Sequence, residues 1–584
     1  MNITKFGFLL LLPLQLACSP TQSPIKSNLD VEQKTQAMVV TANPLATAAG
    51  KAILERGGSA VDAAVAIESV LSLVEPQSSG LGGGGYLVYY DASTKKTIAY
   101  DGRETAPTGA TPDMFLQDGK PLGYIAAKNS GLSTGVPGMV SMLALAHNDY
   151  GRLPWQSLFA DPIKHAERGF AISPRLHGML SRFKKYIPAS SEQGPTDAYH
   201  YFYGEHGITP QVGDILKNPD YAKALRLIAQ DPANFYRGEL AKEIVNAVSQ
   251  QPRAGTISLS DIANYRANRV DALCSPYREY ELCGPPPSSS WLAVAMIMGV
   301  IERSDGFSAQ GAQDANNWAL FADAQRIAYA DRDKFVADQA FVDVPVNGLL
   351  NSEYLKKRAN LLTPNNPLGA FDAGDPWAYE KAKKISRVGF DVAEDLPSTT
   401  HFVVSDNKGN VVSMTASVES IFGSTRMAGG MFLNNQLTDF SKKSHDSQGL
   451  PIANAVAPLK RPRSSMSPTI VLDKNSNFVM ATGSPGGNSI IAYTAKTLVG
   501  VLDWGLSPQQ AVNLPNMVAR GSSVRIEQTP LLPQLTAQMR DKGFNVKASK
   551  GENSGLSVIL KHANGKLEGG VDLRREGVIA IVPR

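Results

Sequence analysis

Between Thr399 and Glu419, side chains able to do chemistry recur at every second position: Ser413, Thr415, Ser417 and Glu419. In an extended strand alternate residues share a face. These four therefore line one side, while Val412, Met414, Ala416 and Val418 line the other. The run Thr399 to Val404, joined to Val411 by the turn-forming Ser405-Asp-Asn-Lys-Gly-Asn410, reads as the hairpin partner. That pairing sets Thr399 opposite Thr415 to Ser417, within one residue. Hydroxyls gathered around a threonine suit acyl transfer, because a threonine oxygen is a weak nucleophile near neutral pH and needs a base beside it. The same pattern, taken alone, also describes an ordinary half-buried strand, since Ser and Thr sit comfortably in sheets.

The elements that must position this hairpin come from both ends of the chain. Small apolar residues at helical spacing run from Asn43 to Ile67, with Gly57-Gly58 ending one helix and Ser59 to Asp62 opening the next. A glycine-rich loop, Glu75-Pro-Gln-Ser-Ser-Gly-Leu-Gly-Gly-Gly-Gly85, leads into an expected hairpin, Tyr86 to Tyr90 and Thr97 to Tyr100. Residues 135–248 and 291–361 read as mostly helical. Residues 363–397, rich in Pro, Gly and charge, read as a mobile, exposed linker. Strand-like runs return at Thr469 to Leu472 and Phe478 to Thr482, before a glycine turn at Gly483-Ser-Pro-Gly-Gly487. Strands early, helices in the middle and strands late predict an α+β or layered α/β/β/α fold in which late strands pair with early ones.

Gly80-Leu-Gly82-Gly-Gly-Gly85 satisfies the GxGxxG spacing of dinucleotide sites. Such a site must follow a strand and open a helix. Here strand residues follow, so the glycines are expected to serve a turn or close backbone packing, and no cofactor is predicted. The eight histidines and three cysteines contain no HExxH or paired CxxC spacing, so no metal is expected either. With 57 Lys and Arg against 53 Asp and Glu there is no basic block to suit a nucleic acid.

Residues 1–18 read as an export signal: Lys5, an apolar run from Phe6 to Leu16, then Ala17 and Cys18. Cys18 after a small residue resembles a lipoprotein cleavage site, so lipid anchoring and simple export both stand, and either delivers the protein outside the cytoplasm. A flexible segment, 19–37, would follow. Folding Leu273 to Gly284 as a hairpin about Arg278-Glu279 sets Cys274 opposite Cys283, which in an oxidising compartment suggests a disulfide; two buried free thiols are the other reading.

Several long strings resemble the γ-glutamyltransferase family in order and spacing, from about residue 38 to the C-terminus. They are Glu75 to Gly85, Asp101-Gly-Arg-Glu-Thr-Ala-Pro107, Ser398-Thr-Thr-His-Phe402, Leu433-Asn-Asn-Gln-Leu-Thr-Asp-Phe-Ser441, Lys460-Arg-Pro-Arg-Ser-Ser-Met-Ser-Pro-Thr469 and Gly483 to Gly487. The resemblance implies an N-terminal nucleophile hydrolase: a four-layer αββα sandwich, made as one chain and self-cleaved between Ser398 and Thr399 into a large subunit (38–398) and a small subunit (399–584). It implies Thr399 as nucleophile, with Thr415 and Ser417 as supporting hydroxyls, the first orienting Thr399. The N–H groups of Gly486 and Gly487 would form the oxyanion hole. Arg103, Ser464 and Ser465 resemble the clamp for a substrate α-carboxylate, and Gln436 and Asp439 the acceptors for its α-ammonium.

The implied activity is release of the γ-glutamyl group of glutathione or a related amide, to water or to an amino-acid or peptide acceptor. Two departures bear on the donor. Glu419 stands where an asparagine is usual, among residues that read the substrate's α-groups, and its parity places it on that side; pairing with Arg426 is the alternative. Lys442 to Leu459, which corresponds to the family's lid, is short. A glutaryl (cephalosporin) acylase of the same superfamily and an inactive binding homologue are the competing readings. Asp439 argues against the first, since a glutaryl group has no ammonium; intact Thr399, Thr415 and Gly486-Gly487 argue against the second.

Overall fold

A computed structural model describes residues 36–191, 194–308, 310–380, 388–391 and 398–583. The export segment, Cys18, most of segment 19–37 and the last residues before Ser398 lie outside these. Thirteen strands build two large antiparallel sheets. In chain order they are β1 (Ala37–Thr41), β2 (Gly84–Asp91), β3 (Lys96–Asp101), β4 (Asn268–Asp271), β5 (Leu273–Tyr277), β6 (Tyr280–Gly284), β7 (Thr400–Ser405), β8 (Val411–Ser417), β9 (Thr469–Asp473), β10 (Phe478–Gly483), β11 (Ser557–Lys561), β12 (Leu567–Val571) and β13 (Val578–Val582). The first sheet runs β4-β3-β2-β8-β7-β1-β13 and the second β5-β6-β9-β10-β11-β12. Late strands pair with early ones, as expected: β8 lies against β2 with Thr415 opposite Tyr86, and β7 lies against β1.

Strand alternation sorts the apolar residues into separate cores. Val39, Phe402, Val404, Val412 and Met414 pack on helices α1 (Pro44–Glu55) and α2 (Ala60–Val74). Their neighbours Met38, Val40, Val403 and Val411 face the other way and meet Ile470, Leu472, Ala481 and Ile559 of the second sheet. The far side of the second sheet packs Val471, Met480 and Val558 on α3 (Trp291–Arg303), α4 (Ala315–Phe335) and α5 (Ile490–Leu502). Each fully buried Val or Leu contributes about 1.5–3 kcal/mol.

Local signals explain the helix starts. Asn43 caps α1 through the Leu45 N–H, with Pro44 in the first turn. Ser59 and Asp62 form a reciprocal capping box at α2, where the sequence predicts a helix to open. Every residue of α2 is buried, which accounts for its lack of a polar face. The Gly80 to Gly85 run is used for close packing: a Cβ at Gly82 would come within 2.2 Å of the Phe432 carbonyl, and one at Gly83 within 2.1 Å of the Ser417 carbonyl. None of these glycines has positive φ, so of the two glycine roles foreseen only the close approach operates here.

Cys274 and Cys283 face each other across β5 and β6 and are disulfide-bonded, with Tyr277 and Tyr280 flanking the two-residue turn. The only group of potential metal ligands among the described residues is this pair with Glu281, and its sulfurs are already bonded to each other. Of segment 363–397, the Gly374 N–H donates to Asp331, the Asp372 carbonyl accepts from Arg358, and Asp391 is buried against Arg463. Residues 381–387 and 392–397 lie outside the described residues. No helix among the described residues is long and apolar enough to cross a membrane.

Candidate active site

The face of β7 and β8 that turns toward the second sheet begins apolar at Val403 and Val411 and becomes polar toward Thr399. The register pairs His401 with Thr415 and Thr400 with Ala416; continued by one residue it sets Thr399 opposite Ser417. The Thr399 and Ser417 hydroxyls lie 3.2 Å apart. Ser417 Oγ donates to the Ser398 carbonyl at 2.8 Å and accepts from the Glu419 N–H at 2.8 Å. A serine hydroxyl has a single proton, so with that proton on the Ser398 carbonyl the Thr399 hydroxyl is the donor in their contact. Thr399 thus has its O–H directed and its lone pairs available, next to a polarised carbonyl of its own peptide bond. The Ser398 hydroxyl bonds the Gln77 carbonyl.

One expectation is corrected. Thr415 does not orient Thr399; its hydroxyl meets His401 Nδ1 at 2.9 Å, because the register places Thr399 one pair further along. His401 was missed by the sequence reading, although its parity with Thr399 on β7 is the signal that could have found it. Its ring is fully buried, burial pushes its pKa down to about 3, and Nε2 has no hydrogen-bond partner. It is a neutral imidazole.

Gly486 and Gly487 follow β10 with φ of +137° and +57°, values that disfavour any other residue. They precede α5, so they stand at the start of a helix, where backbone N–H groups have no partner within the helix. Gly487 borders the same small cavity as Thr399.

That cavity, of about 20 Å³, is bordered by Arg103, Thr399, Ser417, Glu419, Gln436, Asp439, Ser464, Ser465 and Gly487, with Met466 and Ile490. Residues separated by hundreds of positions therefore converge, and of the predicted catalytic and substrate-binding residues only Thr415 and Gly486 are not on its wall. Arg103, fully buried, donates from Nη2 to Asp439 at 2.6 Å and to the Arg463 carbonyl at 2.8 Å, and from Nε to the Pro462 carbonyl at 3.1 Å. Gln436 Nε2 donates to the same Asp439 oxygen at 2.7 Å. Asp439 also pairs with Arg103 as an ion pair, and Glu104 nearby is pushed up to about 8 by burial. Ser465 Oγ receives a hydrogen bond of 2.7 Å from Arg332, and the Ser464 backbone is tied to Ser288 and Ser290.

Glu419 adopts φ +77°, the left-handed region that costs a non-glycine residue roughly 1–3 kcal/mol. Tyr124 donates to its carboxylate at 2.9 Å, Asn435 also donates to it, and Lys128 lies close enough to interact electrostatically. Burial pushes Lys128 down to about 8. Arg426 instead donates to the Ala247 and Pro252 carbonyls, so it is not the partner of Glu419. Two larger cavities, of about 960 and 350 Å³, contain none of the predicted site residues. The first is walled by Tyr124, Thr438 and residues 442–452, the lid-like segment.

A sequence model of γ-glutamyltranspeptidase matches residues 46–582. The chain belongs to the γ-glutamyltranspeptidase family. It is similar to the glutathione hydrolase proenzyme of Bacillus subtilis, with 33% identity covering 92% of this chain and 90% of that protein. It is also similar to the acylase ACY 1 proenzyme of a Pseudomonas species, with 32% identity covering 96% of each chain. Among solved structures, cephalosporin acylase from Bacillus halodurans superposes with a TM-score of 0.78 and 25% identity, covering 97% of this chain and 99% of that one. The mixed helix and sheet architecture is thus that of this family and its acylase neighbours.

Proposed function

We propose that the chain cuts itself between Ser398 and Thr399 and then, through Thr399, transfers γ-glutamyl groups from glutathione or related amides to water or to an amino-acid acceptor. The observation that carries this is the convergence of the Thr399-Ser417-Ser398 hydrogen bonds with an Arg103-Asp439 pair around one small cavity lined by buried residues. In the precursor, Thr399 Oγ attacks the Ser398 carbonyl carbon, whose oxygen Ser417 already polarises. The peptide C–N bond breaks, its nitrogen leaves as the Thr399 α-amine, and water opens the resulting ester. The freed amine, with an ordinary pKa of about 8, then serves as base to its own hydroxyl.

In turnover the same hydroxyl attacks the γ-carbonyl, the oxyanion forms against the Gly486 and Gly487 N–H groups, and the amine of the leaving group departs with the proton. Water or an acceptor amine opens the acyl-threonine. Arg103 with Ser464 and Ser465 holds the α-carboxylate and Asp439 with Gln436 the α-ammonium. These charges match a zwitterionic head in sign and, bonded to each other at 2.6 Å, are poised to exchange that contact for the substrate's two. A glutaryl donor could use Arg103 but offers Asp439 no ammonium to bind beside its Gln436 contact, which disfavours the acylase reading despite the acylase neighbours.

The cores on both sides of and between the two sheets support a four-layer αββα sandwich, in this reading divided into a large subunit to Ser398 and a small one from Thr399. The signal-like pattern of residues 1–18 and the Cys274–Cys283 disulfide support a location outside the cytoplasm, with Cys18 as the candidate anchor site. A denaturing gel with N-terminal sequencing of the smaller band is the test. The expected band begins Thr399-Thr400-His401; a folded, active protein that stays full length would overturn the proposal. Comparing kcat/KM on matched γ-glutamyl and glutaryl anilides then separates the two donor readings.

A further inference from the structure

Thr399 is held from a second side that the proposed mechanism does not use. Arg575, in the loop between β12 and β13, donates from Nη1 to the Thr399 carbonyl oxygen at 2.7 Å and from Nη2 to the Asn553 carbonyl at 3.1 Å. Its side chain is 2% exposed. Gly555 makes the passage for it: a Cβ there would approach Arg575 Cδ to 2.6 Å. The Glu75 carboxylate lies 3.8 Å from Nη1 and is shared with Arg175, whose Nε stands 3.4 Å from the other oxygen. Two guanidinium groups thus divide one close carboxylate; Asp572, on the same loop, also acts on Arg575 electrostatically.

Neutral donors would satisfy the two backbone carbonyls that Arg575 bridges, and burying a cation is costly unless its charge has a use. The carbonyl and the amine of Thr399 flank the same Cα, so a guanidinium on the first is necessarily near the second. We propose that Arg575 is the positioning residue of the N-terminal threonine, fixing the Thr399 main chain before and after cleavage and setting a positive charge beside its α-amine, with Glu75 moderating that charge. This rests on the reading of Thr399 as a self-released nucleophile. A nearby cation disfavours the ammonium form, which keeps the amine available as a base at neutral pH. Before cleavage the Ser417 bond to the Ser398 carbonyl helps hold this residue; afterwards that covalent tie is gone and the Arg575 contact persists.

The test uses the full-length protein carrying Arg575→Gln, Arg575→Lys or Glu75→Gln, with maturation followed on gels, folding by thermal melting and kcat/KM followed against pH. Loss of the cation should move the acid limb of kcat/KM up by about 1 pH unit in Arg575→Gln, and loss of its moderator should move the limb down in Glu75→Gln. Arg575→Lys, which keeps the charge and loses the forked geometry, should keep the limb and lose several-fold in kcat. Opposite shifts are something a merely structural contact cannot give. Limbs coinciding with the wild type in both neutral variants would overturn the proposal. Should Arg575→Gln fold but remain uncut, rescue of cutting by Lys with an unmoved limb supports it. If neither Arg575 variant is cut or folds, the Glu75→Gln limb decides alone, a downward shift supporting the proposal and an unmoved limb overturning it. Failure of the Thr399 reading itself would look different, as an uncut wild type.

Discussion

One face of two neighbouring strands, β7 and β8, is apolar at one end and polar at the other. At the apolar end Val403 and Val411 pack with Met38, Val40 and Ile470 between the sheets. Toward the other end the same face carries Ser413, His401, Thr415, Ser417 and Thr399, all buried. The backbone pairing is continuous across both, so the ladder does not distinguish them. What differs is how burial is made tolerable. The valines need only neighbours of the right shape. Each polar group needs a specific partner: Ser413 donates to the Thr482 carbonyl, Ser557 to the His401 carbonyl, and Thr415 meets the His401 ring. The apolar end is thus a generic sheet interface, and the polar end an ordered network in which each change exposes a neighbour's unmet bond.

Replacing Thr399 by Ala should break the polar end completely as chemistry: neither cleavage nor turnover, a loss of at least about 1000-fold in kcat, with the fold retained. Thr399→Ser should keep some of both activities. Gel analysis and a γ-glutamyl anilide assay check this, and normal maturation of the Ala variant would place the nucleophile elsewhere.

Arg103→Ala should lower kcat/KM for γ-glutamyl donors roughly 10- to 100-fold, mainly through KM, because a charge-assisted contact is worth about 1.5–3 kcal/mol. Maturation should be intact. Unchanged kcat/KM would remove Arg103 from donor binding.

The two ends should respond differently to the same kind of exchange. Thr415→Val removes the partner of His401 Nδ1 from a ring whose Nε2 is already unpartnered, so stability should fall by about 1–3 kcal/mol. Maturation should slow as well. Val403→Thr should cost stability on a similar scale, with kcat/KM within about twofold of wild type. Denaturant titration together with kinetics separates them; equal kinetic losses would dissolve the distinction between the ends. His401 also predicts a pH dependence. Its pKa is lowered from 6.5 to about 3 in the folded state, so below 6.5 the unfolded chain binds the proton first. Its contribution to stability therefore declines as pH falls from about 6.5 to about 3. His401→Gln should flatten that part of the stability profile.

The smallest effect is expected at Glu419. Glu419→Gln should mature normally and lose about 2- to 5-fold in kcat/KM for γ-glutamyl donors, less for glutaryl donors. Tyr124, Asn435 and Lys128 already engage the carboxylate, which reduces what it can offer a substrate ammonium. Equal losses on the two donors would mean that it does not read the α-amine.

Much of this was legible in the sequence where local rules operate. Parity placed Ser413, Thr415, Ser417 and Glu419 on one face, the Ser59-Asp62 cap opened α2, and the hairpin geometry joined Cys274 to Cys283. Family strings gathered Arg103, Gln436, Asp439, Ser464 and Ser465 before any contact was known. Register was legible only to within a residue, and that one step exchanged the roles of Thr415 and Ser417. Partners supplied by tertiary folding were not legible: Tyr124 and Asn435 reach Glu419 from unrelated segments, and Arg575 reaches Thr399 from 176 positions away.

The strand order of the first sheet has a mechanical consequence. β1, from before the Ser398-Thr399 bond, lies between β7 and β13 from after it, while β8 and β7 lie between β2 and β1 from before it. A cut at that bond would leave two pieces laced through each other's hydrogen-bond ladders. Neither could be withdrawn by dilution without unzipping strands along both edges. Such a pair should melt as one cooperative unit whose midpoint still rises with protein concentration, because unfolding sets two separate chains free.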